Sequence, residues 1–187
     1  AGRWGWPGGG WGGGSAAKRA GGVAVGRAAR REGGQETPGG LMGQAGRWWA
    51  EYRMVREGVG MLESGRAPEL VAEITLQPVR RHGVDAAILF SDIVLPLAAV
   101  GVDLDIVPGV GPVVAQPFRY RSDLDRIPEL TPEHVPNPTE ALGLALSGLG
   151  ATPLIGLSGG TFSLALDIIW GGPAKTLEQA KALATAV

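Results

Sequence analysis

The sequence predicts an α/β protein with a mainly parallel sheet, and three observations support this fold class. Two short runs of apolar residues, 86–93 (AAILFSDI) and 153–158 (PLIGLS), are typical of strands buried on both faces of a parallel sheet. Helical patterns precede and follow these runs, which is the alternation expected of β/α units. The length of 187 residues allows a sizeable core but is shorter than the roughly 250 residues of a typical (β/α)8 barrel.

Residues 1–40 differ in composition from the rest of the chain. This segment is rich in glycine and tryptophan and contains few aliphatic residues. It cannot bury enough apolar surface to offset its loss of conformational entropy. We therefore predict a disordered extension over 1–40 and a folded domain over 41–187. An RGG-like RNA-binding extension is the alternative, although the characteristic repeats are absent.

The first half of the folded domain contains two predicted helices before the first strand. The stretch WWAEYRMVREGVGMLES predicts a helix from residue 48 that closes near Gly58 or Gly60. The next helix begins at Pro68 and stops at Gly83, because proline favours the first helical turn and glycine the position after the last. Pro78 is expected to bend its last turn.

The second half contains a hairpin, two helices and the second strand. Residues 103–118 predict two short strands around the turn PGVGP, and a proline-rich connection follows. Asn137 or Thr139 is expected to cap a helix that ends near Gly148. The strand 153–158 precedes a helix over 162–170, and a last helix is predicted over 177–186.

Charge and composition exclude several classes of function. The net charge of −1 creates no overall field that would attract nucleic acid or a membrane surface. The chain contains no cysteine, so disulfides, thiolate metal sites and cysteine nucleophiles are absent. No apolar run reaches the roughly 18–20 residues of a membrane span, and no secretory signal is present. We therefore expect a soluble cytoplasmic protein.

Candidate functional residues lie where the predicted strands end. Ser91 and Asp92 follow the first strand, and ligands of parallel α/β folds bind at this edge of the sheet. An aspartate that caps the following helix would have the same position. Arg47, Arg53 and Arg56 suit anionic partners. The alternative is a solvated helix face on which these arginines pair with the glutamates at positions 51 and 57.

Four segments, taken in order, resemble the N-terminal portion of the uroporphyrinogen decarboxylase family. They are GQAGRWWAEYRMVRE, TLQPVRRHGVDAAILFSDI, GVDLDIVPGVGPVV and PLIGLSGGTFSLALDIIWGG. The resemblance implies a partial (β/α)8 TIM-type barrel that is incomplete at the C-terminus. It also implies a homodimer that decarboxylates the acetate side chains of uroporphyrinogen, in haem biosynthesis, without a cofactor or metal.

The resemblance also implies roles for individual residues. Asp92 matches the family aspartate that receives the pyrrole N–H groups, and Arg47 matches the second arginine of the family motif RQAGR. These two are the predicted catalytic residues. The predicted substrate-binding residues are Arg53, Arg56, Phe90, Ser91 and Asp167.

Two positions depart from the family pattern. Gly43 occupies the place of the first arginine of RQAGR, which removes one cation. Asp167 occupies the place of an active-site tyrosine, where a carboxylate would repel an acetate group. We therefore expect a decarboxylase fragment with impaired activity. The alternative is an inactive fragment that binds a tetrapyrrole or a partner. A corrinoid methyltransferase is disfavoured, because the chain has no cysteine and only two isolated histidines.

Overall fold

The computed structural model describes residues 24–33, 37–39, 45–172 and 178, and it consists of helices around two small sheets. Residues 24–29 are helical and are numbered α1. The remaining helices are α2 (Ala50–Val55), α3 (Met61–Arg66), α4 (Pro68–His82), α5 (Leu95–Ala99), α6 (Pro136–Leu149) and α7 (Thr161–Trp170). The strands are β1 (Ala87–Ile88), β2 (Leu104–Val107), β3 (Gly111–Val114) and β4 (Leu154–Ile155), and two 3-10 helices span Arg121–Arg126 and Pro132–His134.

Helix α4 is the longest described element, and its ends follow from its sequence. Pro68 occupies the first turn, where its missing N–H costs nothing. Gly83 ends the helix in the left-handed region with φ 63°, and its N–H donates to the carbonyl of Val79. Both predicted boundaries of this helix are confirmed.

The strands form two separate pairs. β1 and β4 are parallel, with Ala87 opposite Leu154 and Ile88 opposite Ile155. β2 and β3 form an antiparallel hairpin, as predicted for residues 103–118. The hairpin packs on α7, because the Val114 N–H donates to the carbonyl of residue 171 at 3.0 Å. The described sheet structure is therefore one parallel pair and one antiparallel hairpin.

The core lies around α4, which packs against α6 on one side and β1 on the other. One cluster joins Leu76 of α4 to Ala87 of β1 and Leu149 of α6. Gly148 permits close approach of the two helices, since a Cβ there would lie 2.6 Å from Cδ1 of Leu76. This packing holds α4 directly behind the strand that leads to Asp92.

Two predicted helices differ from the structure. The helix from residue 48 ends at Val55, before the predicted glycines, and a second helix begins at Met61. Asn137 and Thr139 do not cap α6; the helix begins at Pro136, whose fixed φ suits this position, and the Asn137 amide donates to the carbonyl of Arg66.

The predicted strands and N-terminal extension also differ in extent. The regular parts of 86–93 and 153–158 are only two residues each, because the chain leaves the sheet at the candidate site. Part of the segment predicted to be disordered is helical at 24–29, where alanines favour the helix. The predicted helix over 177–186 lies outside the described residues apart from position 178, which is helical.

Candidate functional site

The parallel pairing of β1 and β4 brings two chain segments together at one edge of the sheet. Both strands point the same way, so Phe90, Ser91 and Asp92 leave β1 at the edge where residues 158–160 leave β4. The sequence predicted this neighbourhood from the order of strands and helices. Ligands of parallel α/β folds bind at the carboxyl edge of the sheet, because the loops there vary while the strands stay rigid.

The carboxylate of Asp92 is held in place by the turn that follows it. Its Oδ1 accepts a hydrogen bond from the Val94 N–H at 3.1 Å, and its backbone carbonyl accepts one from the Leu95 N–H at 3.2 Å. Asp92 thus starts the turn that leads into α5. It does not cap that helix, because the N-cap residue is Val94 and no side chain caps it. Asp92 is half-buried, so it is only partly exposed to solvent.

Phe90 and Ser91 have different environments. Phe90 is 1% exposed, and its ring meets the Tyr52 ring edge-on at 6.2 Å between centroids. This packing makes Phe90 a core residue at the base of the site. Ser91 is half-buried between Phe90 and Asp92. Direct contact of either side chain with a substrate stays a prediction.

Asp167 of α7 interacts electrostatically with Asp92. Partial burial of Asp167 in α7 and, second, the negative charge of Asp92 raise the pKa of the Asp167 carboxyl above its usual range. Sequence reasoning identified both residues but not their proximity. The signal was weak, because the two positions belong to different β/α units and only the parallel pairing brings them together.

The three predicted substrate-binding or catalytic arginines do not behave alike. The side chains of Arg47 and Arg53 are exposed, and neither makes a hydrogen bond or ion pair with another described residue. Arg56 instead donates to Oγ of Ser64 at 2.8 Å, to the Tyr52 hydroxyl and to the Val59 carbonyl at 3.1 Å. These contacts use at least three of the five N–H groups of its guanidinium.

The start of α2 lies toward the far end of α4 from Asp92. The rings of Trp49 and His82 are 5.0 Å apart, and His82 is the last residue of α4. Phe90 meets α4 at Thr75, about 10 Å earlier along the helix at 1.5 Å per residue. No hydrogen bond or ion pair joins Arg47 to Asp92 among the described residues, so their shared role stays a prediction.

The alternative in which these arginines pair with the glutamates at positions 51 and 57 also differs from the structure. Glu51 pairs with Arg81 of α4, not with Arg47, Arg53 or Arg56. The Arg81 guanidinium also lies 5.3 Å from the centre of the Trp49 ring. The motif G-R-W-W therefore supplies packing at Trp49, whereas the arginine before it faces solvent.

Glycine at position 46 is explained by this packing. A Cβ built on Gly46 would lie 2.0 Å from Cδ2 of the Trp49 indole, which is closer than atoms can approach. Trp49 itself is 6% exposed and belongs to a core cluster with Tyr52 and Phe90. Part of the G-R-W-W pattern is therefore a requirement of the core. Position 43, where this motif departs from the family pattern, lies outside the described residues.

The fold and site together define an α/β protein with a candidate ligand site at the carboxyl edge of parallel strands. A sequence model of the family described as uroporphyrinogen decarboxylase (URO-D) matches residues 24–186. The chain belongs to the uroporphyrinogen decarboxylase family. This family has a TIM-type barrel fold, which agrees with the predicted α/β class.

Similar proteins cover most of this chain. A uroporphyrinogen decarboxylase of Streptomyces griseus is 60% identical over 157 residues, which are 84% of this chain and 43% of the relative. One from Streptomyces coelicolor is 61% identical over 157 residues, which are 84% of this chain and 44% of the relative. The chain therefore spans less than half the length of these curated relatives.

A solved structure gives independent support for the fold. A methyltransferase from Methanosarcina mazei superposes with a TM-score of 0.57 at 20% identity, over 79% of this chain and 44% of that chain. At this identity the likeness concerns the fold alone.

No helix in the described part of the chain is both long and apolar enough to cross a bilayer.

Proposed function

We propose that the protein binds uroporphyrinogen and acts in the decarboxylation of its acetate side chains, within porphyrin and haem biosynthesis. The observation that carries the proposal is Asp92, a carboxylate fixed by the Val94 N–H at the carboxyl edge of the β1–β4 pair. The name shared by relatives about 60% identical to this chain supports the same reaction.

The proposed chemistry follows from the substrate and from Asp92. The pyrrole N–H groups are donors, and a half-buried carboxylate is a suitable acceptor for them. Protonation of a pyrrole ring carbon produces a cation that can accept the electron pair released when carbon dioxide leaves. The negative charge of Asp92 stabilises that cation more strongly in a partly desolvated site than in water. We expect no metal or cofactor, because the protonated ring is the electron sink.

Asp167 has two opposite effects in this scheme. As an anion it adds to the stabilisation of the cationic ring but repels the acetate groups of the substrate. As an acid it would donate a hydrogen bond to an acetate, and its raised pKa favours that form relative to an ordinary aspartate. The arginines at 47, 53 and 56 are proposed to hold the remaining carboxylates; exposure at 47 and 53 leaves their guanidinium groups available.

The test is an anaerobic assay of uroporphyrinogen III, with coproporphyrinogen quantified by chromatography after oxidation. The chain is measured beside the full-length Streptomyces griseus relative, since we expect the chain alone to be much slower. Asp92→Asn should lower the rate by about 100-fold or more. Asp103→Asn, an exposed aspartate, is the matched control and should leave the rate unchanged. Equal rates for the two variants would contradict the proposal.

An inactive tetrapyrrole-binding protein is the second candidate. The Asp167 carboxylate beside Asp92 favours it, because two adjacent acids oppose the binding of a substrate acetate in a reactive position. Uroporphyrin binding that depends on Asp92, without formation of coproporphyrinogen, would support this candidate over the first.

Three further properties belong to the same proposal. We propose that β1 and β4 are neighbouring strands of a (β/α)8 barrel, that the protein forms a homodimer, and that it is cytoplasmic. The family fold supports the first. Light scattering measures the second, and fractionation of cells measures the third. The division between an extension over 1–40 and a domain over 41–187 also stays a prediction, which limited proteolysis can test.

A further inference from the structure

Helix α4 contributes one fully buried hydroxyl to the strand that leads to the candidate site. Thr75 is 0% exposed. Its Oγ1 donates to the Val71 carbonyl at 2.7 Å and accepts a hydrogen bond from the Phe90 N–H at 2.9 Å. The first contact is usual for threonine within a helix. The second is a tertiary contact, and it involves the backbone two residues before Asp92.

This hydroxyl acts where the sheet no longer holds the chain. The N–H groups of Ala87 and Leu89 donate to the carbonyls of Pro153, just before β4, and of Ile155 in β4, each at 2.9 Å. Successive N–H groups of a strand point to opposite sides, so the Phe90 N–H points away from β4. Among the described residues, Thr75 supplies the acceptor for this N–H.

The segment from Phe90 to Val94 is therefore fastened at both ends. Thr75 fixes the Phe90 N–H, and the Asp92 carboxylate fixes the Val94 N–H at 3.1 Å. Phe90 is 1% exposed, so water cannot replace the threonine without entering the core. Loss of the hydroxyl would leave the Phe90 amide unpaired and free to shift, and Asp92 would move with it.

We infer that Thr75 is a positioning residue, which sets the orientation of the Asp92 carboxylate through the Phe90 amide. This inference rests on the proposed function only in its consequence for substrate binding. Its geometric part, the placement of Asp92 relative to Asp167, is independent of any reaction. The methyl group of Thr75 contributes to packing, whereas the hydroxyl is the group that positions Asp92.

The experiment compares Thr75→Val, which keeps the shape and removes the hydroxyl, with Thr75→Ser, which keeps the hydroxyl. Thr152→Val is the matched control, since Thr152 is also buried, at 5% exposure, and precedes β4 at the opposite edge of the sheet. Titration of the aspartate carboxyl groups by carbon NMR reports how strongly the charge of Asp92 acts on Asp167. Uroporphyrin, the stable oxidised form of the substrate, is the binding probe.

We expect Thr75→Val to change the titration midpoint of Asp167, because the charge of Asp92 helps to set it. We also expect uroporphyrin affinity to fall by about tenfold or more, as small displacements of a binding group can cause. Thr75→Ser and Thr152→Val should resemble the wild type in both measurements. An unchanged Asp167 midpoint in Thr75→Val would overturn the inference.

Two other outcomes are informative. If the wild type does not bind uroporphyrin, the proposed function fails, and the Asp167 titration alone decides the role of Thr75. If Thr75→Val does not fold, amide hydrogen exchange in the wild type and in Thr75→Ser decides. Protection of the Phe90 amide comparable with that of Leu89 in both proteins supports the inference. Exchange of the Phe90 amide as fast as that of exposed loops overturns it.

Discussion

The segment that follows β1 (residues 90–92) and the arginine-rich start of α2 were both predicted to form the site. In the structure, their side chains have different environments. Around Asp92 the chain is fixed by a hydrogen bond from the Phe90 N–H to Oγ1 of Thr75 and by one from the Val94 N–H to Oδ1 of Asp92. Around Arg47 and Arg53 the side chains are exposed. The difference teaches that an acidic group near the sheet is positioned by the fold itself, whereas these exposed arginine side chains have no hydrogen-bond or ion-pair partner among the described residues.

The largest expected effect is in the segment that follows β1. Phe90→Ala should destabilise the protein by about 3–5 kcal/mol, because it removes a fully buried ring and leaves a cavity. Phe162→Ala is the matched control, since that ring is 54% exposed, and its effect should stay within about 0.5 kcal/mol. Urea denaturation followed by circular dichroism measures both. Similar losses for the two variants would show that the segment that follows β1 is not a core region.

A smaller effect is expected at the start of α2. Gly46→Ala should cost about 1–3 kcal/mol, since its Cβ would overlap the Trp49 indole and force that ring to move. Gly60→Ala meets no atom within 4 Å and has φ −65°, so it serves as the control. The difference in urea midpoint between the two variants is the measurement. A neutral Gly46→Ala would mean that Trp49 does not pack as described.

Arg56 provides a test of which arginines are structural. Arg56→Met should destabilise the protein by about 1–2 kcal/mol, because the buried Tyr52 and Ser64 hydroxyls lose a charged donor. Arg53→Met should change stability by less than about 0.5 kcal/mol. Thermal unfolding compares the two. If Arg56→Met weakens uroporphyrin binding but leaves the melting temperature unchanged, its predicted substrate role outweighs its structural one.

The smallest expected effect concerns Asp167 and depends on pH. A carboxyl whose pKa is raised by folding binds its proton more tightly in the native state, so native stability falls as pH rises from 3.8 through the raised pKa. Asp167→Asn should therefore stabilise the protein at neutral pH by less than about 1 kcal/mol, because the group is only partly buried and solvent screens its charge. Below pH 3.8 the gain should disappear. Urea titrations at pH 3 and pH 7 measure it, and a gain of equal size at both would contradict the assignment.

Much of the fold could be predicted because its signals are local. Pro68 and Gly83 define the ends of α4 through their own backbone preferences, and the turn PGVGP defines the hairpin. The position of Asp92 at the end of a buried strand was equally local. The end of α2 at Val55 could not be predicted, because the helical pattern of the sequence continues past that residue.

The sequence by itself determined the family, the strand that carries Asp92 and the helix boundaries at proline and glycine, because each of these depends on neighbouring residues. Only the tertiary structure decided that Asp167 lies beside Asp92, that Thr75 holds the Phe90 amide, and that Arg56 is used inside the protein. Those contacts join residues that are distant in the chain or on different faces of their elements. Their formation depends on how helices pack against a strand pair, and no local spacing of residues encodes that packing.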